Sequence, residues 1–132
     1  MTSTGSIFEI KPGLSAKVSM VTDDLDTAQA FRSGDVPVLS SPRLIALCEE
    51  ATVKALSGRL PEEDTSVGIR IQFDHTAGVK IGTQVTAEAT LKQVHGKRLI
   101  FTVTATDEGG LVGAGVITRV IIDRKSFLSK IK

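Results

Sequence analysis

The stretch SPRLIALCEEATVKALSG, residues 41–58, decides the architecture, because it reads as one long helix in a chain whose remainder reads as strands. Ser41 offers a capping hydroxyl ahead of Pro42 at the first helical position. Ser57-Gly58 closes the pattern. At about 100° per residue, Ile45, Cys48, Thr52, Ala55 and Leu56 fall on one face, flanked by Leu44 and Ala51. Glu50 projects from the opposite face, within reach of Lys54 at i,i+4. Glu49 lies at the border of the apolar stripe, beside Ile45 and Leu56.

On either side of this helix the period changes from that of a helix to that of a strand. Before it, Ala16, Val18 and Met20 alternate with Lys17 and Ser19, which predicts a strand. Between them, Thr22 to Leu39 has no clean period; Asp26 to Phe31 can make one helical turn, and the rest reads as a lid. After an acidic loop, Pro61 to Asp64, the chain reads as strands. Val67, Ile69, Ile71, Phe73 and His75 share one face, with Gly68, Arg70, Gln72 and Asp74 on the other. Gly78 to Gly82 makes a break. Val85, Ala87, Ala89 and Leu91 form the next apolar face, and Leu99, Phe101, Val103 and Ala105 the one after the His95-Gly96 turn. Leu111 to Ile122 is apolar on both faces, as a central or interface strand is. Arg124 to Lys132 is a basic tail. Short connections imply an antiparallel sheet, and one helix on one face of it is an α+β solution. The face and edges left uncovered call for a second copy, a homodimer.

Composition narrows the function. The 132 residues carry 16 Lys+Arg against 15 Asp+Glu, a formal net charge of +1, which argues against an electrostatic nucleic-acid partner. There is no Trp or Tyr to stack bases. No apolar run approaches the ~20 residues of a spanning helix, so no membrane is implied. Met1 to Ile7 lacks the basic and apolar regions of a secretory leader. The single cysteine, Cys48, forms no internal disulfide and no zinc cluster, and the default compartment is reducing and cytoplasmic.

Three residues point to chemistry. Ser41 stands at the helix start, Glu49 two turns later, and His75 in phase with a strand that packs against that helix. A carboxylate at an apolar border suits base or nucleophile work. An imidazole moves protons near neutrality. A hydroxyl at a helix N-terminus has backbone N–H groups beside it. Each also has a structural reading: a cap, a solvated flank, a packed histidine. His95 in its turn and Cys48 on the apolar stripe are read as structural. The residues suggest no metal, and the glycines at 109–115 precede no helix and bind no dinucleotide.

The segments Val38-Leu39-Ser40-Ser41-Pro42, Leu44 to Ala51 and Gly68 to Ala77, with Gly113-Ala114-Gly115 and Thr118-Arg119, resemble the hotdog-fold thioesterases of the fluoroacetyl-CoA thioesterase-like group. The resemblance runs from about Lys11 to Phe127. It implies a five-stranded antiparallel sheet wrapped around the long helix, a dimer with active sites at the subunit interface, and hydrolysis of an acyl-CoA thioester with CoA as part of the substrate and no separate cofactor. It maps the group's catalytic set onto Ser41, Glu49 and His75, and further substrate-binding positions onto Gly68 and Arg119. Ser41 stands where the group's specialist has threonine, and the segment from Phe31 to Ser41 has no aromatic after Phe31. The implied substrate is therefore a short or medium acyl-CoA. Lys97, Arg98, Arg124 and Lys125 are candidates by charge for its phosphates. The alternative is a non-catalytic acyl-CoA or small-ligand binding domain on the same fold.

Overall fold

The computed structural model of the chain describes residues 9–132. The reading of Met1 to Ile7 falls outside these residues. Five strands form a single antiparallel sheet: β1 (Ser15–Val21), β2 (Asp64–His75), β3 (Gln84–His95), β4 (Arg98–Asp107) and β5 (Gly110–Asp123), in the spatial order β1-β3-β4-β5-β2. The long helix, α2 (Ser41–Ala55), lies in the curve of this sheet. A 3-10 turn (Asp24–Asp26) and the one-turn helix α1 (Ala28–Phe31) lead into it, and α3 (Arg124–Ser129) ends the chain. This is the expected α+β hotdog arrangement.

The core forms where the period-2 faces of the sheet meet the stripe of the helix. Val85, Ala87, Ala89 and Leu91 of β3 and Leu99, Phe101, Val103 and Ala105 of β4 are all buried, as their alternation predicts. The centre of the helix stripe is corrected. Leu44, Leu47, Cys48, Ala51 and Thr52 are the deepest residues, Ala55 and Leu56 are buried as expected, and Ile45 sits at the margin. The helix packs chiefly on β1 and β3 and meets β2 along one flank. Leu39 and Val79, from the segments on either side of β2 and the helix, plug the same core.

Three local expectations are overturned. The helix cap is Ser40, whose side chain accepts from the Arg43 N–H at 3.2 Å; Ser41 is the first helical residue. Pro42 is tolerated one position later than expected because its missing N–H belongs to the orphan first turn either way. Lys54 does not reach Glu50 but donates to the Lys17 carbonyl at 3.0 Å, tying the helix to β1. The basic tail begins as the helix α3, capped by Asp123.

A further correction moves the site. In the β2–β5 ladder Gly68 faces Arg119 and Arg70 faces Thr118, so Ile69 is an extra, unpaired residue. Directly opposed residues project to the same face of a sheet, and a bulge reverses the alternation of the strand that carries it. Arg119 also faces Leu99, and His75 faces Gly113, which faces Ala105. Leu99 and Ala105 are core residues. The helix-facing side of β2 is therefore Ser66, Gly68, Ile71, Phe73 and His75. Val67 and Ile69 do not share the face of His75. Alternation alone puts Gly68 outside; the bulge brings it in.

Candidate active site

Two clusters form where the flank of α2 meets β2. At the helix start, Ser41 Oγ and His75 Nδ1 are 2.8 Å apart. The slip of the cap to Ser40 matters here. Ser40 is buried and uses its hydroxyl on the helix backbone, which frees the exposed Ser41 hydroxyl for the imidazole. His75 Nε2 is buried and bonds to no group among the described residues. When Ser41 donates to Nδ1, Nε2 carries the proton; when the ring donates to Ser41, Nε2 is the free base. Either way Nε2 is the ring nitrogen whose hydrogen-bonding capacity is unused among the described residues.

Two helical turns on, Glu49 points at β2. Its Oε2 lies 2.8 Å from where a β-carbon on Gly68 would stand, so no larger residue fits beside the carboxylate as placed. Arg119 Nη1 is 3.8 Å from the same oxygen. Arg119 is only 7% exposed. Burial lowers its pKa, against the opposing pull of Glu49, but a guanidinium stays charged in proteins. The arrangement sets a fixed positive charge beside a carboxylate whose own side chain remains about one-third exposed. Cys48 next to it is fully buried, and burial, with the Glu49 charge, pushes its thiol up to about 12. It is the inert, packed cysteine expected.

The five expected site residues thus fall into a Ser41–His75 pair and a Glu49–Gly68–Arg119 group. No hydrogen bond or ion pair joins the two among the described residues. Helical rise puts the backbones of Ser41 and Glu49 about 12 Å apart, with Ile45, Ile71 and Phe73 on the intervening surface. Thr76 and Ala77, just past His75, hand their N–H groups to the Val112 carbonyl. The segment ahead of α2 is tied to the helix start: Arg43 Nε bonds Asp26 Oδ1 at 3.1 Å, and the Ser40 N–H bonds the Asp26 carbonyl at 2.9 Å.

Sequence reasoning missed Ser66. Its hydroxyl accepts from Arg119 Nε at 2.8 Å and its carbonyl accepts from Nη2 at 3.0 Å. Its spacing of two from Gly68 was the available signal, but nothing local marked the bulge. The remaining phosphate candidates lie apart. Lys97 and Arg98 are at the β3–β4 turn and Arg124 and Lys125 at the start of α3. Arg124 Nε bonds the Glu62 carbonyl.

Comparison with known proteins gives this geometry a lineage. The sequence pattern of the fluoroacetyl-CoA-specific thioesterase family matches residues 21–125. The fluoroacetyl-CoA thioesterase of Streptantibioticus cattleyicolor is 33% identical over 95 residues, which are 72% of this chain and 68% of that protein. A threonine-to-serine variant of the fluoroacetyl-CoA thioesterase, solved with acetyl-CoA, has a TM-score of 0.87 at 28% identity, covering 92% of this chain and 96% of that one. A thioesterase superfamily member from Thermus thermophilus has a TM-score of 0.84 at 25% identity, covering 92% and 90%.

Proposed function

The chain belongs to the fluoroacetyl-CoA-specific thioesterase family, and we propose that it hydrolyses a short or medium acyl-CoA thioester to the free acid and CoA. The observation that carries this reading is the presence of a carboxylate, Glu49, held beside a glycine and a buried arginine, together with a histidine whose Nε2 has no hydrogen-bond partner among the described residues.

The chemistry divides between the two clusters. Glu49 either removes a proton from the water that attacks the thioester carbonyl carbon, or attacks that carbon itself to form an acyl-glutamyl anhydride, which water then cleaves to release the acid and restore the carboxylate; both routes use the same residues. The C–S bond breaks as the tetrahedral intermediate collapses, and His75 Nε2 delivers the proton taken up by the departing thiolate. Ser41 holds the imidazole through Nδ1 and sets which nitrogen is open. Donors near Gly68 and the cationic edge of Arg119 polarise the carbonyl oxygen. Serine at position 41 lacks the methyl of threonine, which leaves more room at the acyl group and suits acetyl or a somewhat longer chain.

The functional unit in this proposal is a homodimer joined along the outer edge of β2. That edge has no partner strand among the described residues, and it carries Ile69 and Ile71 at 47% and 42% exposure. An open edge with exposed isoleucines is a pairing surface. A two-fold antiparallel pairing centred on Gln72, with Ile69 bulged out of it as it is from β5, sets Gly68 opposite the partner's His75. The Glu49 cluster of one subunit then meets the Ser41–His75 cluster of the other. One active site becomes complete at each end of the shared strand pair.

Thiol release from a panel of acyl-CoA esters tests the activity. Wild type turns over at least one ester, and Glu49→Gln and His75→Ala each lower turnover by ~10²-fold or more, the scale of an acid–base group. Stabilisation by an acyl-CoA with no thiol released from any ester would instead establish a binding domain.

A further inference from the structure

Ser66 takes no part in the reaction set out above, yet it determines where Arg119 can reach. The guanidinium is gripped along one side: Nε donates to Ser66 Oγ at 2.8 Å and Nη2 donates to the Ser66 carbonyl at 3.0 Å. Only Nη1 is left toward Glu49, and it stops 3.8 Å from Oε2. That distance is an ion pair without a direct hydrogen bond. An arginine released from Ser66 would be free to turn and meet Glu49 with two parallel N–H bonds, the strongest arrangement open to this pair. A carboxylate held in that fork is a poorer nucleophile and a poorer base, because both of its oxygens are engaged.

Resting on the thioesterase reading, we propose that Ser66 is a positioning residue that holds the Arg119 guanidinium back from Glu49. The carboxylate then feels a fixed positive charge but remains free to react. Ser66 can do this because the unbroken register ahead of the Ile69 bulge sets Ser66, Gly68 and the base of Arg119 on one side of the sheet, while Glu49 approaches from the helix. The Ser66 carbonyl alone keeps one of the two bonds, so the hydroxyl is the part a mutation can remove cleanly.

Two measurements on the full chain test this. In the first, Ser66→Ala lowers kcat about five- to tenfold through misplacement of a charge beside the reacting group. KM stays within about twofold, and Ser66→Thr, which restores the hydroxyl, restores kcat. In the second, the Arg119 Nε–H proton is followed by proton–nitrogen correlation spectra and assigned by its loss in Arg119→Lys. It exchanges slowly with water in wild type and in Ser66→Thr, and at least tenfold faster in Ser66→Ala. Wild-type kcat in Ser66→Ala, equal losses in the Ala and Thr variants, or unchanged Nε–H exchange would each overturn the proposal. If wild type releases no thiol from any ester, the thioesterase reading fails, and the exchange measurement still decides whether Ser66 restrains Arg119.

Discussion

Gly68 and Cys48 show how single residues near the site are tied to their surroundings. A β-carbon at Gly68 would stand 2.8 Å from Glu49 Oε2. That contact falls on the end of a flexible side chain, so the protein accommodates it by moving the carboxylate. Gly68→Ala is therefore expected to fold with a thermal midpoint close to wild type while losing at least ~10-fold in kcat/KM; a thermal melt and thiol release check both halves. Cys48 makes a prediction about pH. Its thiol is pushed from 9.0 to about 12 by burial first and by Glu49 second. A raised pKa in the fold means that the unfolded chain gives up this proton more readily. Stability is undiminished below about pH 9 and falls as pH rises toward 12. Denaturant midpoints across that range should decline in wild type more steeply than in Cys48→Ala, which has no proton to lose.

At the scale of elements, two neighbouring serines at the head of α2 have separate tasks. Ser40 caps the helix and is buried; Ser41 faces His75. Ser40→Ala should cost about 1 kcal/mol of stability, the usual loss of a cap. Ser41→Ala should change stability by no more than about 0.5 kcal/mol, as surface substitutions do, and should reduce turnover instead. Urea denaturation and thiol release on the two variants separate these roles, and exchanged outcomes would put the cap back at Ser41. The same scale explains the bulge in β2. One unpaired isoleucine reverses the alternation midway along the strand, so Gly68 and His75 look into the same layer although seven positions separate them. Gly113 and Gly115 of β5 assist: a β-carbon at Gly113 would stand 2.6 Å from the Phe73 ring, and one at Gly115 would meet the Gln72 carbonyl. Their bareness lets β2 close over β5 with Phe73 seated between the clusters.

For the whole molecule, the proposed dimer makes a demand that a self-contained site does not. If the Glu49 cluster works with the partner's His75, each active site draws on two chains. Glu49→Gln and His75→Ala are each inactive alone. Unfolded together and refolded at equal concentration, they form mixed dimers in which one of two sites is intact. Random assortment should return about a quarter of wild-type turnover. No recovery would place Glu49 and His75 of one chain in the same site. A charge beside the centre of the paired edge, Ile71→Lys, should yield monomers by sedimentation and abolish turnover with the monomer still folded.

What the sequence determined by itself is what local physics writes into neighbouring residues. Alternation and the 3.6-residue stripe are periodic and repeated, so five strands, one long helix and the buried faces of β3 and β4 were legible from the residues alone. The chemical set Ser41, Glu49 and His75 was legible as residue types on facing elements, and the resemblance added Gly68 and Arg119. What only the tertiary structure decided depends on contacts between segments far apart in the chain. Either serine can cap α2 by local rules, and it is His75, 34 residues away, that makes use of Ser41. The bulge at Ile69 exists because β5 pairs on both sides of it. The Ser66 clasp joins residues 53 apart. A period shows which face a side chain takes while the period holds, but a register shift is fixed by the partner strand, and no reading of β2 alone contains that partner.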